Sequence, residues 1–294
     1  MTPYSLTEHL AKSIWFSRWQ EGWIGVFSAY FDASGDETDK RTKFVSVAGF
    51  IASAPVWNDF ENKWLQRLRD DAVFDEHGYP AFHMVDCANY RYAFDGWREK
   101  ESKRQHLLQD LVALLSDLGR KECCVIDVEQ YKALIEADLK ERFSLTAAYV
   151  LGGRACAARV KEWCFIDQSP QLSKVQFFFE HGDGDDIQLD LRFRLLDDEY
   201  PEPNFKRKRN KYKNGELIEY GLVPFQAADV LAYLTCLDAK FAGRDWRDKE
   251  NIRWMLDELA PIPEPTVQLT EGLLRGLNDY LRVSTVSLLR EGDS

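Results

Sequence analysis

Val26-Phe27-Ser28-Ala29-Tyr30-Phe31-Asp32 is a short apolar run that ends on a carboxylate and is closed by Ser34-Gly35-Asp36. A run of this length bounded by turn residues reads as a buried strand. Two later segments repeat the arrangement. Val175-Gln176-Phe177-Phe178-Phe179-Glu180 is a second strand, closed by Gly182-Asp183-Gly184-Asp185, and Pro224-Phe225-Gln226-Ala227-Ala228-Asp229 opens an apolar helix. Asp32, Glu180 and Asp229 are therefore expected to meet in one acidic site. Carboxylates gathered in one place repel each other unless a cation lies between them, so Mg2+ or Mn2+ is the expected cofactor.

Working outward, Phe44 to Ala52 reads as a second strand that forms an antiparallel hairpin with the first. Pro55 opens a helix with Trp57, Phe60, Trp64, Leu65 and Leu68 on one stripe. Residues 71–98 carry no clear period and read as an irregular connection. Helical spacing returns from Glu101 to Gly119, Cys123 to Val128 reads as a strand, and residues 144–163 as a helix whose Gly152-Gly153 permits close packing on a sheet. A short leading helix is expected over residues 7–20, a helical stretch through Leu189 and Leu196, a short strand over 217–223, and a helix over 226–240. Two C-terminal helices follow, around 252–259 and 267–289. The alternation implies an α/β protein with a mixed sheet covered by helices. A single domain over residues 1–294 is expected, with its core at about 26–240 and a helical C-terminal extension at about 248–290.

The chain has 294 residues, 45% of them hydrophobic, with 9 Trp, 12 Tyr and 18 Phe, which is ample for a large core. Its six cysteines have neither CxxC nor zinc-finger spacing and read as reduced packing residues. No leader pattern or membrane-length apolar run is evident, so a cytoplasmic location is expected. The net charge of -11 argues against a protein that coats nucleic acid non-specifically. A local basic segment, Phe205-Lys206-Arg207-Lys208-Arg209-Asn210-Lys211-Tyr212-Lys213, is still available to contact phosphates as a loop.

The segments Asp32-Ala33-Ser34-Gly35, Phe82-His83, Glu180-His181-Gly182-Asp183 and Pro224 to Asp229 resemble the family numbered 3800 among the domains of unknown function. That family's marks are an Asp-Glu-Ser-Gly strand end and a late Gln-x-x-Asp helix start. The resemblance runs in order from about Val26 to Lys240 and implies a ribonuclease H-like fold. Asp32, Glu180 and Asp229 would then hold the metals, with Gln226 one helical turn from Asp229. One departure is Ala33, where the family pattern has Glu. Adjacent strand residues point to opposite faces, so the loss can be tolerated or can mark a weakened site.

The implied activity is that of a metal-dependent nuclease, hydrolysing DNA or RNA phosphodiesters with two metal ions. Such ions activate water, neutralise phosphate charge and assist the leaving oxygen. Asp183 is a further candidate ligand, Gln226 a candidate for orienting water or substrate, and His83 or His181 a candidate for proton transfer. The bland alternatives are an acid capping its own turn, a Gln near a helix start, and a satisfied loop histidine. The competing functional reading is a catalytically inactive module that binds nucleic acid or protein on the same fold. An EF-hand and a phosphate-binding loop are unsupported, because the closing Glu of the one and the Lys-Ser/Thr of the other are missing.

Overall fold

The structure, a computed structural model, describes residues 27–35, 39, 42–135, 137, 147–166, 175–180, 204–205, 209–213, 216–220, 223–242, 250–262 and 266–291. Its centre is the hairpin of β1 (Phe27–Ser34) and β2 (Phe44–Ser53), paired antiparallel so that Asp32 faces Ala48. Gly35 leaves β1 at φ +95 with the Phe44 carbonyl against the place a side chain would occupy, so the turn requires glycine. The helix α1 (Ala54–Asp70) follows, then α2 (Met84–Asn89), two 3-10 turns (Tyr92–Phe94 and Trp97–Lys100), and α3 (Glu101–Ser116). The connection expected to be irregular thus contains a short helix that matters to the site.

Next come β3 (Arg120–Asp127), α4 (Val128–Leu134), α5 (Ala148–Ile166), β4 (Val175–Phe179) and β5 (Asn204–Phe205). The hairpin of β6 (Arg209–Lys213) and β7 (Glu216–Tyr220) leads to α6 (Val223–Phe241) and α7 (Glu250–Leu259). The strand β8 (Val267–Leu269) and α8 (Glu271–Glu291) complete the order. The leading helix and the stretch around Leu189 to Leu196 fall outside the described residues.

Six strands form one sheet in the order β5-β4-β1-β2-β3-β8. β1 is parallel to β4 and β4 to β5, whereas β2 is antiparallel to both β1 and β3, and β3 is parallel to β8. β2 therefore runs against the other five. Two expectations are corrected. Residues 267–269, read as the start of a helix, form an edge strand on β3, so the C-terminal segment contributes to the sheet as well as adding helices. Residues 209–213 of the basic segment form a strand paired antiparallel with 216–220, with Lys211 opposite Ile218 and Tyr212 opposite Leu217.

Alternation along the strands divides the core. One face carries Tyr30, Phe50 and Phe178 under α6, α1, α3 and α7; the other carries Ala29, Phe31, Val47, Phe177 and Phe179 under α5, α4 and α8. On the first face Tyr30 stacks on Phe178 at 4.7 Å and meets Trp57 and Phe225 edge-on at 5.1 and 5.5 Å. On the second, α5 approaches β2 so closely that a Cβ on Gly152 would lie 2.7 Å from a Val47 methyl, in line with the expected close packing. Cys87, Cys123, Cys124 and Cys156 are buried free thiols, and Cys236 is a half-buried one. Among the described residues no helix is long and apolar enough to cross a membrane.

Candidate functional site at the strand ends

β1 and β4 lie side by side and parallel, with Phe31 paired to Phe179, so their next residues, Asp32 and Glu180, emerge together at the carboxyl ends. The Glu180 N–H donates to the Phe31 carbonyl at 3.0 Å and carries the register one residue beyond β4. Tyr30 and Phe178 share the α6 face, so alternation puts Asp32 and Glu180 on that face as well. Ala33 instead packs against the opposite cluster with Phe31, and a Glu there would point away from Asp32.

The third acid comes from α6, whose residues from Val223 through Ala232 are buried on both sides of Asp229. This helix is fastened across the hairpin by Ser46 Oγ, which donates to the Ala232 carbonyl at 2.7 Å, and by Cys236 Sγ, 3.5 Å from the Phe44 carbonyl. Asp229 thus lies over the ends of β1 and β2, where its carboxylate oxygen Oδ2 accepts the Met84 N–H at 2.6 Å. Its other oxygen is 3.6 Å from His83 Nε2, and His83 Nδ1 is 3.2 Å from Asp86 Oδ2. The His83 ring remains 57% exposed, so it can meet a solute.

Electrostatics link the three acids. The side chains of Asp32 and Glu180 are within hydrogen-bonding reach of each other. Desolvation, and then the charges of Glu180 and Asp229, hold the Asp32 carboxyl well above the ordinary carboxylate range, against the pull of a 2.7 Å hydrogen bond from the Ala33 N–H. Asp229 is also raised, chiefly by burial, while His83 and the Met84 N–H oppose the shift. Tyr149 at the start of α5 was missed by sequence reasoning. Its hydroxyl donates to the Glu180 carbonyl at 3.4 Å, and burial followed by the charges of Asp32 and Glu180 pushes it well above the usual phenol value. Nothing in the sequence around Tyr149 marks it, because its partner Glu180 lies 31 residues away.

Gln226 lies one helical turn before Asp229 on α6, the place expected from the sequence. Its side-chain oxygen accepts both the Trp64 indole N–H and the Phe82 backbone N–H at 2.9 Å. It fastens the segment carrying His83 to α6 and α1, and that oxygen is already committed. Of the other expected site residues, Asp183, His181, Lys206, Arg207 and Lys208 lie outside the described residues. Arg209 and Lys211 are placed on β6 by their backbone. Among the described residues no group of three or more His, Cys, Asp or Glu side chains is gathered closely enough to hold a metal ion.

Comparison of the chain with protein-family models, curated proteins and solved structures gives no match. Any functional reading therefore rests on the strand ends. The site joins a half-buried pair of repelling carboxylates to a third acid on α6 and to an exposed histidine held between two aspartates.

Proposed function

We propose that the protein is a metal-dependent phosphodiester hydrolase of ribonuclease H-like build, a nuclease acting on DNA or RNA. The observation that carries the reading is the adjacency of Asp32 and Glu180 at the carboxyl ends of neighbouring parallel strands, with Asp229 in electrostatic reach. In open α/β sheets, ligands bind at the carboxyl ends where the strand order reverses. Here the chain turns from β1 to β2 and β3 on one side and to β4 and β5 on the other, so the acids sit at that reversal. The order β5-β4-β1-β2-β3 with only β2 reversed is compatible with a ribonuclease H-like core, to which β8 adds an edge.

The donor set suits a hard divalent cation such as Mg2+ or Mn2+, because oxygen ligands bearing mutual repulsion gain most from one. Asp32 and Glu180 would hold it, with Asp229 contributing charge from α6. The bound ion would supply an activated water and neutralise charge growing on the phosphate. His83 would pass a proton to or from the reacting oxygens, since Asp86 and Asp229 orient its ring while its face stays open to solvent. Asp229 also fixes the start of α2 through the Met84 N–H, and Gln226 holds the preceding residue Phe82.

The test is cleavage of labelled single- and double-stranded DNA, RNA and hybrid substrates with Mg2+ or Mn2+, comparing the wild type with Asp229→Asn. Metal-dependent cutting that falls by on the order of 100-fold in the variant supports the proposal, since even groups behind the metal ligands cost about 10- to 100-fold. No cutting of any substrate, together with no metal binding by calorimetry, would leave a non-catalytic binding module on this fold.

A further inference from the structure

Beyond the acids, the least ordinary backbone among the described residues lies just after α2. Tyr90 and Tyr92 both adopt left-handed conformations, φ 56 and φ 51, which are costly for large side chains and normally fall to glycine. Tyr90 has a structural reason. It ends α2, where the Arg91 N–H bonds the Asp86 carbonyl at 2.9 Å in the manner of a helix C-cap. Its hydroxyl donates to Glu101 Oε2 at 2.8 Å, and the guanidinium groups of Arg98 and Arg104 lie over its ring at 5.3 and 4.9 Å.

Tyr92 has no such reason: it is 82% exposed, more than any other large hydrophobic side chain described. The surrounding frame is rigid. Phe94 packs edge-on against Phe82 at 5.7 Å and Trp97 at 5.3 Å, both rings buried, and Asp95 N–H closes the turn onto the Tyr92 carbonyl at 3.0 Å. A buried aromatic ladder thus pins the segment while turning one tyrosine out to solvent at a backbone cost. The exposed Arg91 precedes it directly. Eight residues, those of α2 followed by Tyr90 and Arg91, separate Tyr92 from His83 along the chain.

Resting on the hydrolase reading above, we infer that Tyr92 is a stacking platform for an unpaired nucleobase, with Arg91 on the adjoining phosphate, so that the substrate is single-stranded or locally unpaired nucleic acid. A tyrosine on a pinned turn has little backbone freedom left to lose when a base stacks on it, and an arginine at its side supplies positive charge in an acidic chain. Base pairing in a duplex would leave no free face for the ring. The basic hairpin of β6 and β7 is not needed for this contact.

The test uses the full chain and a fluorescein-labelled oligothymidylate, with binding read by anisotropy in Ca2+ and cleavage read in Mg2+. Tyr92→Ala should weaken binding on the order of tenfold, the range of one base stacked on an aromatic ring. Tyr92→Phe should stay within about twofold of wild type, and an abasic oligonucleotide should bind wild type and Tyr92→Ala alike. Tyr92→Gly relieves the backbone and serves if the alanine variant folds poorly; it should melt no lower than wild type yet bind as weakly. Wild-type affinity in Tyr92→Ala or Tyr92→Gly overturns the platform and leaves the hydrolase standing. A wild-type protein that neither binds nor cuts the oligonucleotide, but cuts a duplex, overturns the single-strand inference alone; one that cuts nothing overturns both.

Discussion

On the face of the sheet covered by α5, Glu122 is completely buried and met by two arginines. Arg120 donates to Oε1 through Nε and a terminal nitrogen at 3.0 and 2.8 Å, and Arg159 donates to Oε2 at 2.9 Å. On the face covered by α6, the strongest charges acting on Asp32 are two more carboxylates. Both faces desolvate acids, and burial raises Glu122 as well as Asp32. One face supplies guanidinium groups inside the fold, and the other concentrates negative charge at an opening. The difference separates a neutralised ion cluster from a cluster of like charge.

The largest effect expected from this contrast is on the α5 face. Glu122→Ala leaves two guanidinium groups without their acceptor, one of them also stacked 4.5 Å from the Trp163 ring, and should cost about 3–5 kcal/mol. Urea denaturation measures it. An unchanged midpoint would mean that Glu122 is no more integrated than Asp32, and the contrast between the faces would fail.

Next in size is Gln226→Ala, which sharpens the description of the α6 face. It leaves the buried Trp64 indole N–H and the Phe82 N–H without their acceptor and should cost roughly 2 kcal/mol or more. Gln226→Glu keeps an acceptor oxygen but buries a charge one helical turn from Asp229, so it should be closer to wild type at acidic pH, where it is neutral, than at pH 8. If instead both variants melt like wild type and only cleavage changes, Gln226 belongs to the chemistry and the frame around His83 is held by something else.

The two faces were unequally legible in the sequence. β1, β4 and the start of α6 were readable because their apolar runs end abruptly on acids. β3 was read from Cys123, whereas it begins at Arg120. Arg120, Lys121 and Glu122 look like solvent residues, yet all three are buried. Their partners are distant in the chain: Arg159 on α5 for Glu122, and for Lys121 the Leu259 and Ile262 carbonyls at the end of α7, at 2.8 and 2.5 Å. Local pattern cannot reveal a charge neutralised 138 residues away. The same limit hid β8, whose three residues become a strand only because β3 offers an edge, and it hid the double role of Gln226 as acceptor for α1 and for the segment before α2. The role of Tyr92 depends on a backbone angle, which composition does not encode.

The smallest predicted effect is the most discriminating, because it reverses sign between the faces. Asp32→Asn keeps an oxygen for the Ala33 N–H and removes a charge that Glu180 and Asp229 repel. The folded-state pKa of Asp32 lies above its unfolded value, so the native protein binds the proton more tightly than the unfolded chain does. The destabilisation is therefore fully in force above the folded pKa and is relieved as pH falls through it. Asp32→Asn should melt about 2–4 °C above wild type at pH 8, the shift expected for roughly 1 kcal/mol in a protein of this size. The gap should close as the pH is lowered toward the ordinary carboxylate range. Added Mg2+ or Mn2+ should raise the melting temperature of wild type but not of the variant, since a ligand stabilises only the state that binds it. If Asp32→Asn melts below wild type at pH 8, as Glu122→Ala is expected to do, then Asp32 is a satisfied structural carboxylate and the acidic site loses its physical basis.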